Sequence, residues 1–104
     1  MKNTKQYLIK ETDREIAGRE KEVKKSDEEL EILNARLKVE KKSLGMKDIK
    51  EDLKEDFKYS VIALQDMIAM EENKNFELKK DLEILKYRKE VINSQFSDNE
   101  LDRA

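Results

Sequence analysis

Three aspartates, Asp48, Asp52 and Asp56, recur every four residues and would share one face of a helix, a spacing at which carboxylates could gather a hard cation. Lys47, Lys50, Lys54 and Lys58 interleave with them, so the face reads as a solvated mixture of charge with no loop to wrap an ion. Glu71 falls beside Asn75 within an otherwise apolar stripe and is the one acid the pattern would take out of water. A desolvated acid can mark a site; here it reads as snorkelling to the surface or pairing with Lys74. The chain has no His and no Cys, which removes zinc chemistry, a thiol nucleophile and any His-dependent triad. Gly18 and Gly45 stand alone, so no glycine-rich phosphate loop exists. No catalytic, cofactor-binding or metal-binding residue is assigned, and neither an enzyme nor a small-molecule substrate is expected.

The elements that would position any surface are legible in the composition. In 104 residues, 46% charged and without a single proline, only long helices or disorder fit. A strict apolar period decides for helices. Residues 1–45 carry 12 basic and 10 acidic side chains, a balance of +2, and the remainder 11 and 15, a balance of −4. Signs this mixed do not make the one-sided basic face of a nucleic-acid binder. No apolar run approaches a membrane span, and the second half is too acidic for a helix lying on a bilayer. The basic start, Met1 to Lys5, is followed only by Tyr7-Leu8-Ile9, too short for a signal-peptide core. Cytoplasmic residence is expected, with signal-peptide-independent export as the alternative. Abundant Lys, Glu, Ile and Asn suggest an AT-rich bacterial or phage genome.

In the first half Ile9, Ile16, Val23, Leu30, Leu37 and Leu44 recur every seven residues. With these at heptad position a, the d positions are Thr12, Arg19, Ser26, Leu33 and Glu40, only one of them apolar. From Leu30 a second set, Ile32, Ala35, Val39 and Met46, joins the row. The N-terminal part is therefore a thin arm. Thr12-x-x-Glu15 and Ser26-x-x-Glu29 are capping boxes at which the helix could start late or break.

The second half follows alternating steps of four and three: Phe57, Val61, Leu64, Ile68, Glu71, Asn75, Leu78, Leu82, Leu85, Lys89, Ile92 and Phe96. Nine of these twelve are apolar, the exceptions being Glu71, Asn75 and Lys89. Asn75 is either a buried register-fixing residue or part of a wet, loose point beside Glu71. Further apolar residues, among them Met70, Phe76, Ile84, Tyr87 and Val91, lie at positions b, c and f, outside the seam. A helix apolar on two sides touches two neighbours.

Residues 43–48 are the one clear break, with Gly45 suited to a left-handed C-cap and Asp48-x-x-Glu51 to a capping box. The fold class expected is all-α: one domain over 1–104, a long antiparallel helical hairpin (coiled coil) that dimerises into a four-helix bundle. Its parts are helix 1 over about 4–43, a turn at 44–47, helix 2 over about 48–96 and a frayed acidic tail at 97–104. One continuous helix through Gly45, pairing in parallel, is the alternative. Folding about Gly45 would bring Leu37 near Phe57, Leu30 near Val61, Val23 near Ile68 and Ile9 near Leu82. The hairpin core is assigned to Phe57, Val61, Leu64, Ile68, Leu78, Leu82, Leu85 and Ile92 with Val23, Leu30 and Leu37. Met70, Phe76, Ile84, Tyr87 and Val91 are assigned to a partner or oligomer face.

A hairpin of this length with Leu44-Gly45-Met46 at its midpoint resembles the Trp-x-Gly helical hairpins exported by type VII secretion and their accessory partners. It departs from them in lacking the Trp and a tyrosine-plus-acid export signal, of which Phe96-x-x-x-Glu100 is only an echo. Prefoldin-like chaperones also have two long helices, but residues 43–48 leave no room for their β-hairpins. The expected function is non-enzymatic protein–protein interaction, as a small adaptor, scaffold or inhibitor that self-associates or packs against a helical partner. The type VII resemblance implies an alternative, a secretion partner or export chaperone pairing with a larger helical cargo. A phage-type regulator contacting nucleic-acid machinery is the third reading. No direct contact with nucleic acid or membrane is expected.

Overall fold

The computed structural model describes residues 3–102. Two helices, α1 (Thr4–Leu44) and α2 (Glu51–Gln95), are joined by residues 45–50 and form an all-α antiparallel hairpin. The chain divides into two compact units, one joining Met1–Lys24 to Glu77–Ala104 and the other formed by Lys25–Phe76.

Helix α1 is unbroken, so neither capping box interrupts it. Thr12 donates its hydroxyl to the Leu8 carbonyl at 2.7 Å, one turn back, and Ser26 uses its own across the seam. Both side chains thus satisfy themselves without ending the helix. At its end the Gly45 amide donates to the carbonyls of Lys41 and Lys42, both at 3.2 Å, and Gly45 has no positive φ. The left-handed cap expected there does not form. Helix α2 begins three residues later than expected. The Lys50 carbonyl accepts from Leu53 and Lys54 at 3.1 and 3.0 Å, leaving Asp48 in the connector and not at the cap. Glu51 and Asp52 then supply the negative charge that suits the first turn.

The longer connector changes the register. Within unit Lys25–Phe76, Ser26 meets Glu71, where folding about Gly45 would have set it against Gln65. At this point the pairing is shifted by six residues from the expected one. Leu33, 2% exposed, packs with Leu64 and Ile68, flanked by Leu30 and Leu37. Next to this apolar core lies a polar layer. Ser26 donates to Glu71 Oε2 at 2.6 Å, and the Asn75 amide donates to Ser26 Oγ at 3.2 Å and to Asp27 Oδ1 at 2.8 Å. Asn75 is buried, so it is a seam residue and not a loose point.

In the unit joining Met1–Lys24 to Glu77–Ala104, Thr12, Leu78 and Leu85 are buried. Lys89, the third interruption of the α2 heptad, forms an ion pair with Asp13 of α1 at 2.6 Å. Residues 98–102 of the tail form turns; Arg103 and Ala104 lie outside the described residues. Ser97 donates its amide to Glu100 Oε1 at 2.8 Å, and the chain turns back so that Leu101 and Asp102 are half-buried. Asp102 accepts the amides of Thr4 at 2.7 Å and Asn3 at 3.3 Å. Asn3 holds φ at 73°, a left-handed conformation that Asn tolerates, and its carbonyl accepts the Tyr7 amide. Lys5 in turn reaches the carbonyls of Phe96 at 2.8 Å and Asn93 at 3.4 Å. Each helix lacks the charge its own terminus calls for: α1 has no acid in its first turn and α2 no base in its last. The opposite arm of the chain supplies both, Asp102 to one and Lys5 to the other.

Candidate interaction surface

The heptad that buries positions a and d leaves the remaining positions to water or to a partner. Of the residues assigned to the hairpin core, Leu64, Ile68, Leu78 and Leu85 are buried, and Phe57, Val61, Leu82, Ile92, Val23, Leu30 and Leu37 are half-buried. Leu33 was not among them, yet it is the largest fully buried side chain. Its place as the one apolar d residue of α1 was the available signal. Polar Thr12 and Ser26 occupy the same d row and are buried too, which an apolar pattern could not show.

Of the residues assigned to a partner face, Met70 and Tyr87 are each 73% exposed and Phe76 64%. Ile84 is exposed as well, whereas Val91 is half-buried and only in part available. Met70, Ile84 and Val91 share heptad position c with Ala63, while Phe76 falls at b and Tyr87 at f. They do not belong to a single stripe.

The set Ile32, Ala35, Val39 and Met46 does not widen the seam. All four are exposed, because the seam is already filled at a and d. Within unit Lys25–Phe76, Ile32 and Val39 of α1 instead stand opposite Ala63 and Met67 of α2 across a groove of about 530 Å³, with Leu64 at its floor. Arg36, Glu40 and Ser60 complete the lining. One oxygen of Glu40, Oε2, is closed off from solvent without a hydrogen-bond donor, and so is Arg19 Nε in the other unit. Arg19 nonetheless pairs through Nη1 with Glu22 at 2.9 Å.

The aspartate row is not a shared face. Asp48 sits in the connector, and Asp52 accepts the amide of Leu53 at 3.1 Å. Lys54 and Lys58 pair with Glu51 and Glu55 of their own helix. Among the described residues no three Asp, Glu, His or Cys side chains gather as metal ligands, and no helix is long and apolar enough to cross a membrane. Asp102 is held below the ordinary aspartate value of 3.8, first by the Thr4 amide, then by the Thr4 hydroxyl and the Asn3 amide, with partial burial opposing. Its role is that of an acceptor at a helix N-terminus. Compared with family models, curated proteins and solved structures, the chain finds no match.

Proposed function

We propose that the chain is a non-enzymatic protein–protein interaction module, a small adaptor, scaffold or inhibitor that works by helix packing and self-associates into a four-helix bundle. One observation carries the reading. Large apolar side chains stand out of a two-helix hairpin at Val39, Met46, Tyr59, Met70, Phe76 and Tyr87, each more than 60% exposed, with Ile62 close behind. Isolated apolar residues on a surface need no explanation, but a contiguous apolar wall marks a contact surface. The groove between Ile32, Val39, Ala63 and Met67 is such a wall. A hairpin bundle that doubles buries this kind of surface at the a/d-flanking positions of both helices.

Light scattering behind a sizing column, combined with circular dichroism, tests the proposal. The expected result is a helical species at twice 12.4 kDa or a higher multiple, with a mass that falls on dilution. A fully helical chain that stays at 12.4 kDa at every concentration would overturn self-association. A chain that is largely unfolded alone and becomes helical only with a cargo would favour the export-partner reading instead.

A further inference from the structure

We infer that the groove of unit Lys25–Phe76 is the contact face of a two-fold homodimer in which Arg36 of each copy meets Glu40 of the other. The inference rests on the self-association proposed above and names the surface that performs it. The walls are apolar and open: Ile32 is 46%, Met67 47% and Val39 63% exposed. The charges at the rim choose the occupant. Arg36 and Glu40 lie one helical turn apart on α1, one cation and one anion.

A two-fold interface repeats every contact with the roles exchanged. A rim carrying a single sign would repel its own copy, whereas a cation and an anion one turn apart match themselves when the axis passes between them. Within the chain the two do not pair, and among the described residues no ion pair involves either. Arg placed four residues before Glu is also the weaker order for a helical pair. Glu40 meanwhile has one oxygen shut off from water and without a donor. Its other oxygen, Oε1, is neither closed off nor taken by a described group of this chain, and it is the one that an incoming guanidinium can engage. A second copy brings that group to the right place on a surface that is already apolar.

The heptad extends the face. Met70 shares position c with Ala63, whereas Phe76 and Tyr87, at b and f, fall outside it.

The test compares the dimer dissociation constants of wild type, Arg36→Glu, Glu40→Arg and an equimolar mixture of the two variants, by sedimentation. Each variant alone sets like charges against each other twice and should weaken the dimer at least tenfold. The mixture should recover it, because the doubly acidic rim of one variant faces the doubly basic rim of the other. Circular dichroism checks the fold of each. Met67→Glu, on the opposite wall and independent of Glu40, should weaken the dimer as well. Variants that dimerise as wild type does, or a mixture that stays dissociated, would overturn this pairing and leave self-association standing. A wild-type monomer would overturn both.

Discussion

The two compact units hold two antiparallel helical segments together with different chemistry. Unit Lys25–Phe76 closes around Leu33, Leu64 and Ile68 and a polar layer in which Ser26, Asp27, Glu71 and Asn75 satisfy one another. In the unit joining Met1–Lys24 to Glu77–Ala104, α2 brings buried Leu78 and Leu85 while α1 brings buried Thr12 and only half-buried apolar residues, Leu8, Ile9, Ile16 and Val23, and charged groups add to them. Asp13 holds Lys89, Lys5 holds the end of α2, and Asp102 holds the start of α1. Partly exposed ion pairs contribute about 0.2–1 kcal/mol each and weaken in salt, whereas a buried leucine contributes roughly 1.5–3 kcal/mol and does not. The difference teaches that apolar density sets which part opens first. Native-state hydrogen exchange should show the amides of unit Lys25–Phe76 opening only with global unfolding and those near the chain ends opening earlier, more so in high salt.

The comparison breaks most readily at its apolar side. Leu33→Ala removes the most buried side chain of the α1 seam and should cost about 2–5 kcal/mol in urea unfolding. A loss under about 1 kcal/mol would mean the core around Leu64 and Ile68 is not what holds that unit. Asn75→Ala should come next, at about 1–3 kcal/mol, since it strips Ser26 and Asp27 of a donor inside the seam. The double variant with Ser26→Ala should cost less than the sum of the two single changes, because the same network is broken twice. Strict additivity in that cycle would show that the layer does not act as a unit.

That layer also marks how far the sequence could be read. Helices, hairpin and most of the buried α2 seam follow from the period of seven, which depends only on side chains repeating along one helix face. Register does not, because an apolar row slides along another apolar row at small cost. The missing information lay in the interruptions. Glu71, Asn75 and Lys89 break the α2 row, Ser26 lies in the α1 row, and setting polar against polar brings Ser26 to Glu71 and Asn75. The turn hid the shift: Gly45 invited a tight cap, but it keeps an ordinary backbone conformation and the chain runs on to Lys50. The tail was illegible for another reason. A carboxylate capping a helix some 98 positions away in sequence leaves no periodic trace. The groove was half visible: Ile32 and Val39 were apolar at helical spacing, but with the seam full they line the groove instead of the seam.

Strengthening the weaker unit sharpens the contrast from the other direction. Gly18 lies mid-helix in α1, has no positive φ, and a methyl group there would meet nothing within 4 Å. Gly18→Ala should therefore stabilise the protein by about 0.5–1 kcal/mol, chiefly by narrowing the unfolded ensemble. Hydrogen exchange should slow around residue 18 and leave the amides near Leu33 and Leu64 unchanged except through global stability. Slower exchange confined to residues 25–76 would contradict the division into two units.

The smallest expected effect is the most local. Asp102→Asn keeps an acceptor at the start of α1 but removes a negative charge there, so the amides of Asn3 and Thr4 should exchange faster while the rest of the hairpin is untouched. The sign of its pH dependence follows from the hydrogen bonds. Donation by Thr4 holds the Asp102 carboxyl below 3.8 in the folded chain, so the unfolded chain binds the proton more readily. The contribution of the charge is complete above the ordinary aspartate range and is lost as pH falls through the lowered folded value. Wild type and variant should thus differ most near neutrality and converge in acid. The gap should also close as salt rises, because the interaction is a partly exposed one between a carboxylate and a helix terminus. A difference that persists in acid would assign the clasp to shape and hydrogen-bond count, and the chain ends would then resemble the apolar unit more than their charges imply.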